Sequence, residues 1–180
     1  MITAIVAFLA ACNPAAALVA LAHDRRTDRP LPVAAGAMAA FAALVVAAAA
    51  SDAILDVLEL NLGTFRVGAG AVLVVSGLRW LVAGAPRDAV EPGSDLRLAG
   101  FVAFPTLLTP AAAVLAVSVG ADEGVLTVMV AAAVAIALGG LGVYLRRSVP
   151  VALGTSMVRL IGAGTVIVGA GMVVDGLQTL

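Results

Sequence analysis

Six apolar runs, at 2–22, 31–50, 62–83, 98–119, 124–145 and 157–178, take up most of this 180-residue chain. Each is close to the roughly 20 residues a helix needs to cross a bilayer core of about 30 Å. The runs are built from Ala, Val, Leu and Gly and lack the alternation of a half-buried strand. Charged residues make up only 12% of the chain and hydrophobic ones 63%, against about 25% charged in a soluble domain. So little charge cannot coat a water-facing surface around six such runs. The expected fold is therefore all-α, a single polytopic membrane domain over 1–180 with six transmembrane helices. Lipid supplies no partner for backbone N–H and C=O groups, so each span must be helical.

The connections carry a charge alternation. All ten basic residues are Arg. Arg25, Arg26 and Arg29 lie in the first connection, Arg79, Arg87 and Arg97 in or beside the third, and Arg146 and Arg147 in the fifth. The second connection holds Asp52, Asp56 and Glu59 but no Arg, and the fourth holds Asp122 and Glu123 but no Arg. By the positive-inside rule, the odd connections are expected in the cytoplasm and both termini outside, in a multi-pass cell-membrane protein. The first run ends in Ala20-Leu21-Ala22, like a signal-peptide cleavage site. Its basic cluster follows the apolar stretch rather than preceding it, so no cleavage is expected. Residues 52–62 form an amphipathic stretch, expected to be a short interfacial helix or the frayed end of span two.

An internal repeat is visible. Asn13-Pro14-Ala15-Ala16-Ala17 in span one resembles Thr109-Pro110-Ala111-Ala112-Ala113 in span four, and Gly68-Ala69-Gly70 in span three resembles Gly162-Ala163-Gly164 in span six. Three spans per half is an odd number, so the halves (1–83 and 98–180, joined by a cytoplasmic connection at 84–97) must enter the membrane from opposite sides. Inverted three-helix repeats of this kind are an architecture of transporters.

The prolines point to where a site would lie. Pro14 and Pro110 sit near the middle of spans one and four, and Pro105 adds a second break. Proline inside a helix removes one i→i−4 bond, which should free the carbonyls of Ala10 and Thr106. Such breaks survive at membrane depth only where protein or a water-filled cavity satisfies the freed groups. Asn13 and Thr109, each preceding a proline, add polar side chains. Either break alone reads as a simple kink. Two at corresponding positions of a repeat point to a midplane solute site formed by Asn13, Pro14, Thr106, Thr109 and Pro110. Half-helix amides suit a carboxylate and loose carbonyls suit a cation, so a zwitterion would find both.

Arg66 and Arg159 read first as snorkelling anchors, with coupling or gating as the second reading. The expected partners of Arg66 are Asp52, Asp56 or Glu59. Asp175 near the end of span six carries a second reading as a proton or cation site. The glycines of spans three, five and six read as packing positions. No nucleotide loop, zinc motif or catalytic triad is present, and neither is a basic patch for nucleic acid. No enzyme activity, cofactor or metal is therefore expected. The expected partners are the lipid bilayer, a small solute with H⁺ or Na⁺, and a second copy of the chain in a homo-oligomer. A membrane scaffold or regulator is the alternative function.

Several motifs resemble the MarC family of integral membrane proteins, within the LysE-type exporter superfamily. Asn13-Pro14 resembles its (Asp/Asn)-Pro in span one. Phe65-Arg66-Val67-Gly68-Ala69-Gly70 resembles its FRIAGG start of span three. Phe104-Pro105 through Thr109-Pro110-Ala111 resembles its P-x-x-x-G-P-G element, and Arg159-Leu160-Ile161-Gly162 and Val174-Asp175-Gly176-Leu177 resemble its RLMG and ILDG ends of span six. The family's Gly and second Pro after the first motif are Ala and Val here, and Thr109 and Ala111 stand in place of its glycines. The resemblance implies six spans, both termini outside and, in some relatives, transport of small neutral amino acids.

Overall fold

The computed structural model describes residues 1–21, 30–84, 95, 99–100, 102–145 and 151–180. Among these the chain is helical throughout and no strand occurs. The order is α1 (Ile2–Cys12), α2 (Pro14–Leu21), α3 (Pro30–Ala49), α4 (Ser51–Val57), α5 (Leu62–Ala83), a π-wound segment (Val102–Leu107), α6 (Pro110–Glu123), α7 (Val125–Leu145) and α8 (Val151–Gln178). Among the described residues, three helices are long and apolar enough to cross a membrane, at Leu31–Ala49, Leu62–Ala83 and Ala152–Gln178. The basic residues Arg25, Arg26, Arg29, Arg87, Arg97, Arg146 and Arg147 lie outside the described residues.

Proline chemistry sets the breaks. A residue before proline is pushed out of the α region by the pyrrolidine ring. Asn13 leaves the α region for the left-handed one, which asparagine tolerates better than most residues, with φ 40° and ψ 71°. Thr109 is extended, with φ −77° and ψ 155°, and so is Phe104, with φ −139° and ψ 130°. The runs at 2–22 and 98–119 are thus each interrupted, while those at 31–50 and 62–83 remain single helices. The stretch 52–62 begins with the short helix α4, which buries Ser51 and Leu55. Its end is closed by Glu59 at φ 54°.

The packing is inverted relative to a soluble protein. The core between α1, α3, α6 and α7 is made largely of alanine (Ala4, Ala7, Ala11, Ala111, Ala112, Ala116, Ala131, Ala132 and Ala135) with Phe8, Leu44, Leu115 and Val128. Large apolar residues such as Leu31, Val82, Leu126, Leu160 and Ile167 point outward. Small residues inside let helix backbones approach closely, which is how helices gain contact energy where lipid removes the hydrophobic drive between them.

The closest approach is between α5 and α8. A Cβ on Gly63 would lie 3.2 Å from the Gly176 carbonyl oxygen, one on Gly70 2.5 Å from that of Gly169, and one on Gly77 2.7 Å from that of Gly162. The reverse contacts hold as well, at 2.7 Å, 2.7 Å and 2.9 Å. Numbers rise on one helix as they fall on the other, so the helices are antiparallel. Three glycines per helix, seven residues apart, keep one narrow face turned to the partner. Each motif of the suspected repeat gives one glycine to this seam, Gly70 and Gly162. Gly68 and Gly164 meet open space. The glycines matched in sequence therefore differ in role.

Gly70→Ala or Gly169→Ala should lower stability by about 2–3 kcal/mol, because the added methyl meets backbone that cannot turn aside. Gly68→Ala should be neutral or stabilising by up to about 1 kcal/mol from helix propensity. Thermal unfolding of the purified protein in detergent checks this, and equal melting temperatures for the two classes would contradict it.

Candidate functional site

The two helix breaks meet. Thr109 caps α6, its Oγ1 accepting from the Ala112 amide at 3.0 Å, and the same hydroxyl donates to the Ala11 carbonyl at 2.9 Å. Asn13 caps α2, its Oδ1 accepting from the Ala16 amide at 3.2 Å, while its Nδ2 donates to the Val158 carbonyl at 3.5 Å. The carbonyl of Ala10, which Pro14 deprives of its helical donor, lies 2.9 Å from the hydroxyl of Thr165 on α8. That hydroxyl is equally close to Ile161 O, so its single proton serves both. Asn13, Thr109 and Thr165 are all buried, and among the described residues no buried side-chain N or O lacks a partner. The carbonyls of Ala10, Ala11 and Val158 are thus each met by a side chain from another segment, between α1–α2, α6 and α8.

The other expected site residues divide. Pro14 borders the junction and packs on Gly139 of α7, where a Cβ would lie 3.4 Å from its ring. Pro110 is exposed at the surface and does not converge with Asn13. Thr106 belongs to the π-wound segment, and its side chain lies outside the described residues. Arg159 is exposed, away from Arg66 and Asp175. Thr165 was missed in the sequence, although a lone Thr within the Gly/Ala/Val run of span six was a signal for it.

Above this junction lies a cavity of about 200 Å³ lined by residues of α1, α5, α6 and α8. Its rim holds Arg66, Asp122, Glu123 and Asp175, and its wall includes Ser118. Arg66 Nη2 pairs with Asp122 Oδ2, which ties the start of α5 to the end of α6. The acids of the second connection, expected as partners of Arg66, are not its partners. Arg66 is 19% exposed and Asp122 45%. Ala7, Leu115 and Val168, also lining the cavity, precede or follow Ala11, Ala112 and Thr165 by three or four residues. The cavity floor is thus about one helical turn, roughly 5 Å, from the bonded breaks.

A UPF0056 membrane protein of Pyrococcus horikoshii is 30% identical to this chain over 142 residues, covering 76% of this chain and 70% of that protein. The chain belongs to the UPF0056 family. That is the MarC family to which the motifs pointed. UPF0056 membership and the several apolar helices together make this a multi-pass membrane protein. No family model and no solved structure matches the chain.

Replacing Thr109 with Val removes a helix cap, worth about 1 kcal/mol, and leaves the buried Ala11 carbonyl without its donor, at about 1–3 kcal/mol. Thr109→Val should therefore cost about 2–3 kcal/mol in detergent unfolding, while Thr109→Ser keeps most of the stability. Equal losses for the two would show that the hydroxyl does not matter.

Proposed function

We propose that this UPF0056 protein is a secondary transporter or exporter of a small polar solute, a small neutral amino acid being the leading class. In this reading the six apolar runs are six spans in two inverted three-helix repeats, with the arginine-bearing connections in the cytoplasm and both termini outside. The observation that carries it is the meeting of two interrupted helices, one from each half, about one turn below a charged cavity. A helix that only spans needs no break, and breaking two at matching positions costs stability. That cost is understandable where backbone polarity is to be shared with a guest.

In the observed arrangement the Asn13, Thr109 and Thr165 bonds close the junction. Solute passage then requires the α1–α2 and α6 breaks to part, with Asn13 and Thr109 exchanging protein partners for the solute. H⁺ or Na⁺ serves as the coupling ion, or the solute runs down its own gradient. A membrane scaffold is the second reading, favoured by the junction's buried side chains all having protein partners.

Proteoliposomes loaded with a panel of amino acids and small metabolites test this. Flux is expected for a small zwitterion, with a loss of about tenfold or more in Asn13→Ala and Thr109→Val, each removing a hydrogen bond to a charged group. Undiminished flux in both variants would remove the midplane site. No flux for any solute would leave the scaffold.

A further inference from the structure

The cavity at the Glu123 end of α6 combines features that the midplane junction does not use. Its rim carries one guanidinium, Arg66, and three carboxylates, Asp122, Glu123 and Asp175. Asp122 pairs with Arg66, and Glu123 accepts from the Met1 ammonium at 3.0 Å. Asp175 alone makes no ion pair among the described residues. The cavity therefore presents one carboxylate without a cation and one guanidinium whose carboxylate partner is the more exposed of the pair.

The glycine seam sets the heights of these two groups. Gly63 and Gly176 touch. Arg66 lies three residues, about 4.5 Å, further along α5. Asp175 lies one residue, about 1.5 Å, back along the antiparallel α8. Their Cα atoms thus sit within about 3 Å of one level along the helices, on neighbouring walls of one cavity. We propose that this cavity is an outer binding site for a small zwitterion, Arg66 taking its carboxylate in place of Asp122 and Asp175 taking its ammonium.

The chemistry of each half is specific. A guanidinium offers a planar fork of donors that matches a carboxylate in two parallel bonds, and Asp122 already demonstrates that a carboxylate reaches it here. A carboxylate such as Asp175 accepts from a cationic ammonium. The volume suits a small guest. An amino acid of the size of glycine or alanine fits a cavity of about 200 Å³. The Arg66–Asp122 bridge between α5 and α6 opens when the guest's carboxylate replaces Asp122. This loosens the end of α6 that begins at the Thr109 break. The site rests on the transport reading for its purpose, but its occupancy is measured without flux.

The test uses the full chain purified in detergent, with radiolabelled glycine and alanine as probes and acetate and ethylamine as competitors that carry one charge each. Saturable binding of a probe, which neither competitor displaces at equal concentration, is the expected result. Arg66→Gln and Asp175→Asn should each weaken binding by about tenfold or more. Asp122→Asn, which releases the guanidinium, should strengthen it, an effect that loss of a merely structural ion pair would not give. Arg66→Lys, which keeps the charge but not the fork, stands in if Arg66→Gln fails to fold, and should also weaken binding. No binding of either probe, displacement by one competitor alone, or binding untouched by all the substitutions overturns the proposal. Flux run in parallel separates the two readings: transport that persists undiminished in Asp175→Asn removes this site and leaves the transporter standing.

Discussion

Backbone polarity in lipid is the constraint on which this structure depends. Each peptide group that leaves its helix must find a partner inside the protein. Pro14 takes the helical donor from Ala10, and the left-handed Asn13 interrupts the ladder beside it. The structure answers with hydroxyls and an amide reaching from other helices: Thr165 to Ala10, Thr109 to Ala11 and Asn13 to Val158. These three bonds join segments some 100 to 155 residues apart in sequence. They tie α1–α2 to α6 and α8 at a buried junction.

The remainder of the packing makes those bonds reachable. Alanine in the core and glycine in the α5–α8 seam bring backbones close enough for short side chains to bridge them. A Thr hydroxyl reaches only a backbone that lies nearly against its own helix. The large side chains, which would hold helices apart, are turned to the outside. Close packing and bonded breaks are therefore two sides of one arrangement, and enlarging the seam glycines would strain both.

The proposed function draws on the same features. A junction whose hydrogen bonds are satisfied internally is closed, and a charged cavity about one turn away is open. In the proposed transport, an open charged mouth over a sealed polar floor would let a solute be recognised first by its charges and later by hydrogen bonds. The Arg66–Asp122 pair connects the two levels, because α6 runs from the Thr109 break to the acidic rim.

Much of the frame was legible in the sequence alone. Length and hydropathy of the runs, without the alternation of a barrel strand, dictated helices in a membrane, since a helix satisfies its own lipid-exposed backbone. Pro14, Pro105 and Pro110 marked the interruptions, because the steric clash of a pyrrolidine ring with its predecessor is local. The heptad glycines were also written in the chain, but their pairing was not. Only the tertiary structure decided that Gly70 meets Gly169 rather than the matching glycine of the repeat, that Arg66 takes Asp122 rather than the nearby acids of its own loop, and that Thr165 serves the orphaned carbonyl. Those choices turn on which helices lie side by side and at what height. Local sequence sets what each helix offers, and only packing sets what it faces.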